Sequence, residues 1–240
     1  MPQTGGLSLK NTKKSWLRRL SFWLAVGLIL YQAWILGHVV WWASHNPETT
    51  AFMREGLEEL RIKNPRAQIR QQWVPYSHLS VNLKRALIAS EDETFAVNDG
   101  FDWQAMGAAL VEDIRHGHII AGGSTITQQL AKNLFLSQSR TPWRKLQEFI
   151  ITVELESFMS KRRILDIYLN VIQWGNGVYG AEAAAHHYYG TNAANLSVFQ
   201  AARLAAMVPD PIFFDKHRND HWLAWKTGII MARMSQMRLP

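Results

Sequence analysis

The chain has 240 residues, enough for one globular domain with a short appendage. Apolar residues make up 48% and charged residues 19%, which excludes a disordered chain, and the absence of cysteine excludes disulfides and thiolate metal sites. A net charge of +7 and a pI of about 9.8 call for an anionic partner, whether nucleic acid, lipid headgroup or phosphorylated substrate, and the location of the charge has to decide.

The stretch Leu20 to Trp42 carries no charged residue and covers the roughly 20 residues a helix needs to cross the hydrocarbon of a bilayer. Trp16, Trp23, Trp34, Trp41 and Trp42 crowd it, as aromatic residues do at a bilayer interface. Lys10, Lys13, Lys14, Arg18 and Arg19 precede it, and no acidic residue occurs before Glu48, so the positive-inside bias places the N-terminus in the cytoplasm. The run is too long for the apolar region of a cleavable signal peptide and lacks a small-x-small exit before Trp41 and Trp42, so an uncleaved anchor is expected. Only Gln32 and His38 argue for a buried core helix instead. The chain then divides into a basic cytoplasmic tail over 1–19, a transmembrane anchor over 20–43 and an extracytoplasmic domain over 44–240.

Beyond the anchor no sustained alternation marks a sheet, whereas apolar residues recur every three or four positions, so an all-α domain is expected. Helices are predicted over 49–60, 80–90, 103–116, 125–136, 142–159, 162–171, 180–189, 197–207 and 222–237. Thr125 with Gln128 forms a capping-box pattern, Thr141 before Pro142 is a helix entry, and Ser160 and Ser197 are N-cap candidates.

Four segments carry chemistry. The 80–90 helix ends in Glu91, Asp92 and Glu93, at the terminus where the helix dipole is already negative. Crowded acids raise one another's pKa, which suits a base working near neutral pH, although an acidic triplet is more often a solvated turn. The run from Gly122 and Gly123 through Ser124 to Asn133 lets the backbone approach a ligand closely and offers helix N–H groups to an oxyanion. On that helix Thr125, Gln128, Gln129 and Lys132 share one face and Ile126, Leu130 and Leu134 another, a pattern an ordinary amphipathic helix also has. Glu148 shares the stripe of Ile151, Thr152 and Leu155, so it faces inward, where the plain alternative is a surface pair with Arg144. Lys161, Arg162 and Arg163 crowd a helix start, the unfavourable end for cations, which an anionic ligand or headgroup would relieve. His186 with His187, and His116 with His118, lack chelating spacing on a helix face and are expected on the surface or in packing.

In order and rough spacing these segments, with Trp174-Gly175-Asn176-Gly177-Val178-Tyr179-Gly180 and Leu204 to Pro209, resemble the motifs of family 51 glycosyltransferases. The resemblance covers Trp73 to Pro211, and the string GGSTITQQLAKN is its most specific part. It implies a lysozyme-like, two-lobed helical catalytic domain beside the membrane. It also implies polymerisation of glycan strands: Glu91 as general base on the 4-hydroxyl of the acceptor lipid II, inversion at the donor anomeric carbon, and release of undecaprenyl pyrophosphate. Glu148 falls on the donor side. Lys132, Arg144, Lys145, Lys161 and Arg162 match positions that offer charge to the phosphates. Asp92, Phe95, Gly123, Ser124, Thr125, Gln128, Gln129 and Asn133 match positions around the cleft. No cofactor is obligatory, with Mg2+ or Mn2+ near Glu148 the one candidate metal. The implied partners are lipid II, the growing strand, the membrane and other proteins of cell-wall synthesis or division, and nucleic acid is not among them. The chain departs from the motifs at Asn98, where histidine is usual, at Asp166, where glutamate is usual, and at Gln173, where an acid is frequent.

Two rival readings are a lytic enzyme on a similar helical fold and an inactive scaffold of cell-wall synthesis. A lytic enzyme has no use for a basic diphosphate cradle, and a scaffold has none for both Glu91 and Glu148.

Overall fold

The computed structural model describes residues 9–116, 123–139 and 141–240; Gly122 and His118 lie outside them, as do the side chains of Lys10, Lys13, Lys14 and His116. The described chain is mostly helical. Helix α1 spans Leu9–Trp42, α2 Ala51–Lys63, α3 Val81–Glu91, α4 Trp103–His116, α5 Ile126–Phe135 and α6 Pro142–Phe158. Then come α7 at Lys161–Val171, α8 at Ala181–Tyr189, α9 at Val198–Met207, α10 at Pro211–Lys216 and α11 at His221–Arg233.

The helix starts are chemical. Thr125 Oγ1 accepts from the N–H of Gln128 at 3.2 Å while Gln128 Oε1 accepts from the N–H of Thr125 at 3.0 Å, so the predicted capping box opens α5. Ser197 and Gln200 make a second box before α9, Ser160 caps α7, and Thr141 caps α6 with Pro142 in its first turn.

Two features depart from the sequence-based expectation. Strands β1 (Gln173–Gly175) and β2 (Val178–Tyr179) pair as an antiparallel hairpin, too short for alternation to reveal it. Its exit at Gly180 has φ +78°, and a Cβ there would stand 2.5 Å from the Asn170 carbonyl oxygen, so only glycine fits. The short α10 lies outside every predicted helix; Pro211 opens it, with the Asp210 side chain accepting from the Phe213 N–H.

The domain's helices form two packed groups. One joins α3, α9 and α11; the other gathers α2, α6 and α7 around α5, and α1 lies along α6. Trp174, Tyr168, Tyr179 and Phe95 are fully buried and are the largest side chains of the core.

Residues Trp16–Trp42 of α1 are long and apolar enough to cross a membrane. Most of this helix is exposed, yet Ile35 and Val39 are fully buried in the domain core, with Gln32 and Leu36 half-buried on the same face. Arg163 clasps its end: Nε donates to the Trp42 carbonyl at 2.9 Å, a second nitrogen to the His45 carbonyl at 2.5 Å, and a third pairs with Asp166 at 2.8 Å. The basic start of α7 therefore spends one of its three cations on holding the anchor.

Candidate active site

Helix α3 delivers Glu91 at its last turn, because the Ser80 cap fixes where it begins and eleven residues bring it to the edge of a cleft of about 610 Å³. The cleft brings together Glu91, Asp92, Gly123, Ser124 and Thr125, and its far wall is Trp222, Trp225, Lys226 and Arg233 of α11.

Glu91 is half-buried and oriented at both oxygens. Ser90 Oγ donates to Oε1 at 2.7 Å and Gln129 Nε2 to Oε2 at 2.9 Å. Gln129 cannot flip its amide, since its oxygen accepts from the Tyr168 hydroxyl at 2.7 Å. Complete burial, followed by the nearby Glu91 and Asp92 charges, holds the Tyr168 hydroxyl well above the ordinary tyrosine pKa, so it stays protonated and donating. A hydrogen-bond chain thus runs from α7 through α5 to the carboxylate on α3.

Asp92 sits beside Glu91 with a different task. It is buried and accepts from the Ile126 N–H at 3.1 Å, Asn98 Nδ2 at 2.9 Å and Thr94 Oγ1 at 3.2 Å. Burial raises its carboxyl above the usual aspartate value against the opposing pull of these donors and of Lys161. It ties the end of α3 to the start of α5. Asn98 extends the tie, because its Oδ1 accepts from Lys161 Nζ at 2.8 Å. An uncharged amide thus joins Asp92 to Lys161.

Lys161 also pairs with Glu156 at 2.7 Å and stands 4.8 Å from the ring of Phe95, itself fully buried. Arg162 lies over the Tyr76 ring at 4.8 Å. On α5, Lys132 stands over the Phe52 ring at 5.2 Å and Asn133 Nδ2 donates to the Gln129 carbonyl at 2.8 Å. Thr125 and Gln128 are turned into the cap, and Thr125 Oγ1 also donates to the Gly100 carbonyl at 2.7 Å, so the predicted polar face of α5 narrows to Gln129 and Lys132. Gly123 passes close to α4: a Cβ there would meet the Met106 Cα at 3.2 Å.

Glu148 is buried on α6, as its stripe implies, with Arg144 at 2.5 Å from Oε2 and Lys145 at 2.5 Å from Oε1. Neither Glu148 nor its two cations lines the 610 Å³ cleft; they lie farther along the α5–α6 face. Both Glu148 oxygens are held by cations, and among the described residues no group of three or more His, Asp or Glu could hold a metal. This donor set does not fit a resident divalent ion.

Sequence reasoning missed the α11 wall. Trp222 stacks on Phe214 at 5.4 Å, and Trp225 beside it is largely exposed to the cleft. These residues lie some 130 positions after Glu91 in no recognisable string, and only tertiary packing of α11 on α3 brings them there.

Residues 58–235 match the family model described as Transglycosylase. The chain is 56% identical over 217 residues to the biosynthetic peptidoglycan transglycosylase of Chromobacterium violaceum, covering 90% of this chain and 95% of that protein. It is 57% identical over 213 residues to the protein of the same name from Methylobacillus flagellatus, with 89% and 93% covered. With that of Nitrosospira multiformis it shares 53% over 227 residues, with 95% and 99% covered.

Proposed function

The chain belongs to the transglycosylase family, and from that premise we propose that it is a membrane-anchored peptidoglycan glycosyltransferase that extends glycan strands from lipid II. The observation that carries this reading is the oriented carboxylate of Glu91, placed by Ser90 and Gln129 at the rim of a cleft large enough for sugar rings.

In this reading Glu91 takes the proton from the acceptor 4-hydroxyl as that oxygen bonds to the donor anomeric carbon. The bond from that carbon to the diphosphate breaks on the opposite face, so configuration inverts. Negative charge grows on the leaving diphosphate, and Arg144, Lys145 and Lys132 are the cations nearest that end of α5 and α6. Glu148 then preorganises Arg144 and Lys145 instead of reacting itself, and no step needs a metal. Lys161 and Asn98 brace the base through Asp92. The exposed face of Trp225 offers a platform for a sugar ring opposite Glu91.

The basic residues before Leu20 favour an N-terminus in the cytoplasm and a domain outside the cytoplasmic membrane, where lipid-linked disaccharide is used. Cell-wall synthesis or division proteins are the partners this location offers. The test is purified full-length protein with labelled lipid II. Polymer supports the reading, cleavage of preformed strands would assign a lytic enzyme, and no turnover would leave a scaffold.

A further inference from the structure

Halfway along its apolar run, well before the Arg163 clasp, the anchor makes a polar contact with the domain. Gln32 Nε2 donates to Glu154 Oε1 at 2.6 Å across the seam between α1 and α6. The other two polar atoms of the pair, Gln32 Oε1 and Glu154 Oε2, are buried, and neither meets a hydrogen-bond partner among the described residues. With Glu154 ionised both are acceptors, and no rotation of either side chain can satisfy them. One proton changes the count. Placed on Glu154 Oε2, it supplies the donor that Gln32 Oε1 lacks, so acid and primary amide match at both positions.

We propose that Glu154 is held as a neutral carboxylic acid, paired with Gln32 through two hydrogen bonds, and that this pair locks α6 to the membrane helix.

The surroundings agree. Helix α6 meets α1, α5 and α7. On α1, Arg18 and Arg19 lie roughly 20 Å below Gln32 along the helix, and His38 bonds to the Trp34 carbonyl. On α5, Lys132 stands over Phe52. On α7, Lys161 pairs with Glu156, Arg162 covers Tyr76 and Arg163 pairs with Asp166. On α6 itself, Arg144 and Lys145 hold Glu148, while Glu156 also accepts from Thr127. Burial pushes the Glu154 carboxyl above the usual glutamate value, and the Gln32 hydrogen bond offsets this only in part. A lone carboxylate in a seam beside lipid is costly, whereas the neutral acid is a good partner for an amide.

Gln32 and Glu154 are then positioning residues. Glu148 lies less than two turns along α6 from Glu154 and its cations Arg144 and Lys145 within three, so the pair fixes the rotation and height of that group relative to the membrane.

The test uses full-length protein in phosphatidylcholine–phosphatidylglycerol vesicles, without substrate, so its outcome does not depend on the glycosyltransferase reading. Infrared spectra at neutral pH should contain the carbonyl band of a protonated carboxylic acid, absent in Glu154→Gln and shifted in Gln32→Leu. Glu154→Gln, which still donates and accepts, should keep wild-type stability. Gln32→Leu and Glu154→Leu should each lose roughly three- to twentyfold in the folding equilibrium, the scale of a polar contact between membrane helices. The double leucine variant should lose less than the product of the two, since it leaves no orphaned polar atom. Absence of the protonated-acid band, or a Glu154→Gln defect as large as that of Glu154→Leu, would overturn the proposal. The band comparison stands even if a leucine variant fails to fold.

Discussion

At the residue scale the site turns on what each carboxylate touches. Among the described residues Glu91 meets only neutral donors, Ser90 and Gln129, and faces the cleft, while Glu148 is saturated by two cations. Glu91→Gln should therefore leave the melting transition in place and lower lipid II polymerisation by about 100-fold or more, the usual cost of losing a general base; turnover near wild type would remove Glu91 from that role. Tyr168 acts at one remove, by fixing the Gln129 amide. Tyr168→Phe should lower the rate several-fold, in line with about 1 kcal/mol for one hydrogen bond. Added substrate should not restore it, because an orientation is lost and not a binding contact. The inward turn of Glu148 was legible from its helical stripe. So was the capping task of Gln128, whereas that of Asp92 was not, since a sequence position says that a side chain is near a ligand-approaching loop but not that the backbone has already claimed it.

Among the elements, α5 is the one on which the site depends most, and its start is held by Thr125 in three hydrogen bonds counting the box. Thr125→Ala should cost about 1–2 kcal/mol in denaturant unfolding, and Thr125→Ser, which keeps the hydroxyl, should recover most of it. The hairpin is held differently. Asp215 accepts from His187 at 2.9 Å, from the Asn176 N–H at 3.1 Å and from Arg218 at 3.0 Å. Burial alone would raise its carboxyl, but those donors and the His187 charge bring it below the usual aspartate value. A depressed native pKa means the unfolded chain binds more protons, so this contribution is full above about pH 4 and is lost as pH falls through the native value. Melting curves of wild type and Asp215→Asn should therefore differ near neutrality and converge in acid; a gap that persists at low pH would assign the effect to shape instead of charge. Helices were readable because caps and periodicity are local. The hairpin and α10 were not, because five strand residues and a six-residue helix carry too little pattern, and the hairpin is supported by Asp215, 39 residues along the chain from Asn176.

For the whole molecule, the anchor and the domain are not a rod and a ball joined by a tether. The domain grips α1 from Gln32 onward through Ile35, Val39 and the Arg163 clasp. The sequence showed the length of the apolar helix but not this grip: Gln32 hinted at a buried face, but Ile35 and Val39 read equally well as residues facing lipid. Of the uncharged run, the stretch from Leu20 to Tyr31 stands clear of the domain, about 18 Å of helix at 1.5 Å per residue, against a hydrocarbon layer of about 30 Å. A bilayer that covers the whole apolar run must rise past the grip, and Leu146, Phe149 and Val153, exposed along α6, are where its acyl chains would end. Hydrophobic thickness then becomes a variable the catalytic domain can feel, because a thicker bilayer must tilt the anchor, thin locally or climb the domain wall. Polymerisation in vesicles of increasing acyl-chain length should pass through an optimum, and an optimum that vanishes when Leu146, Phe149 and Val153 are made polar would identify α6 as the waterline.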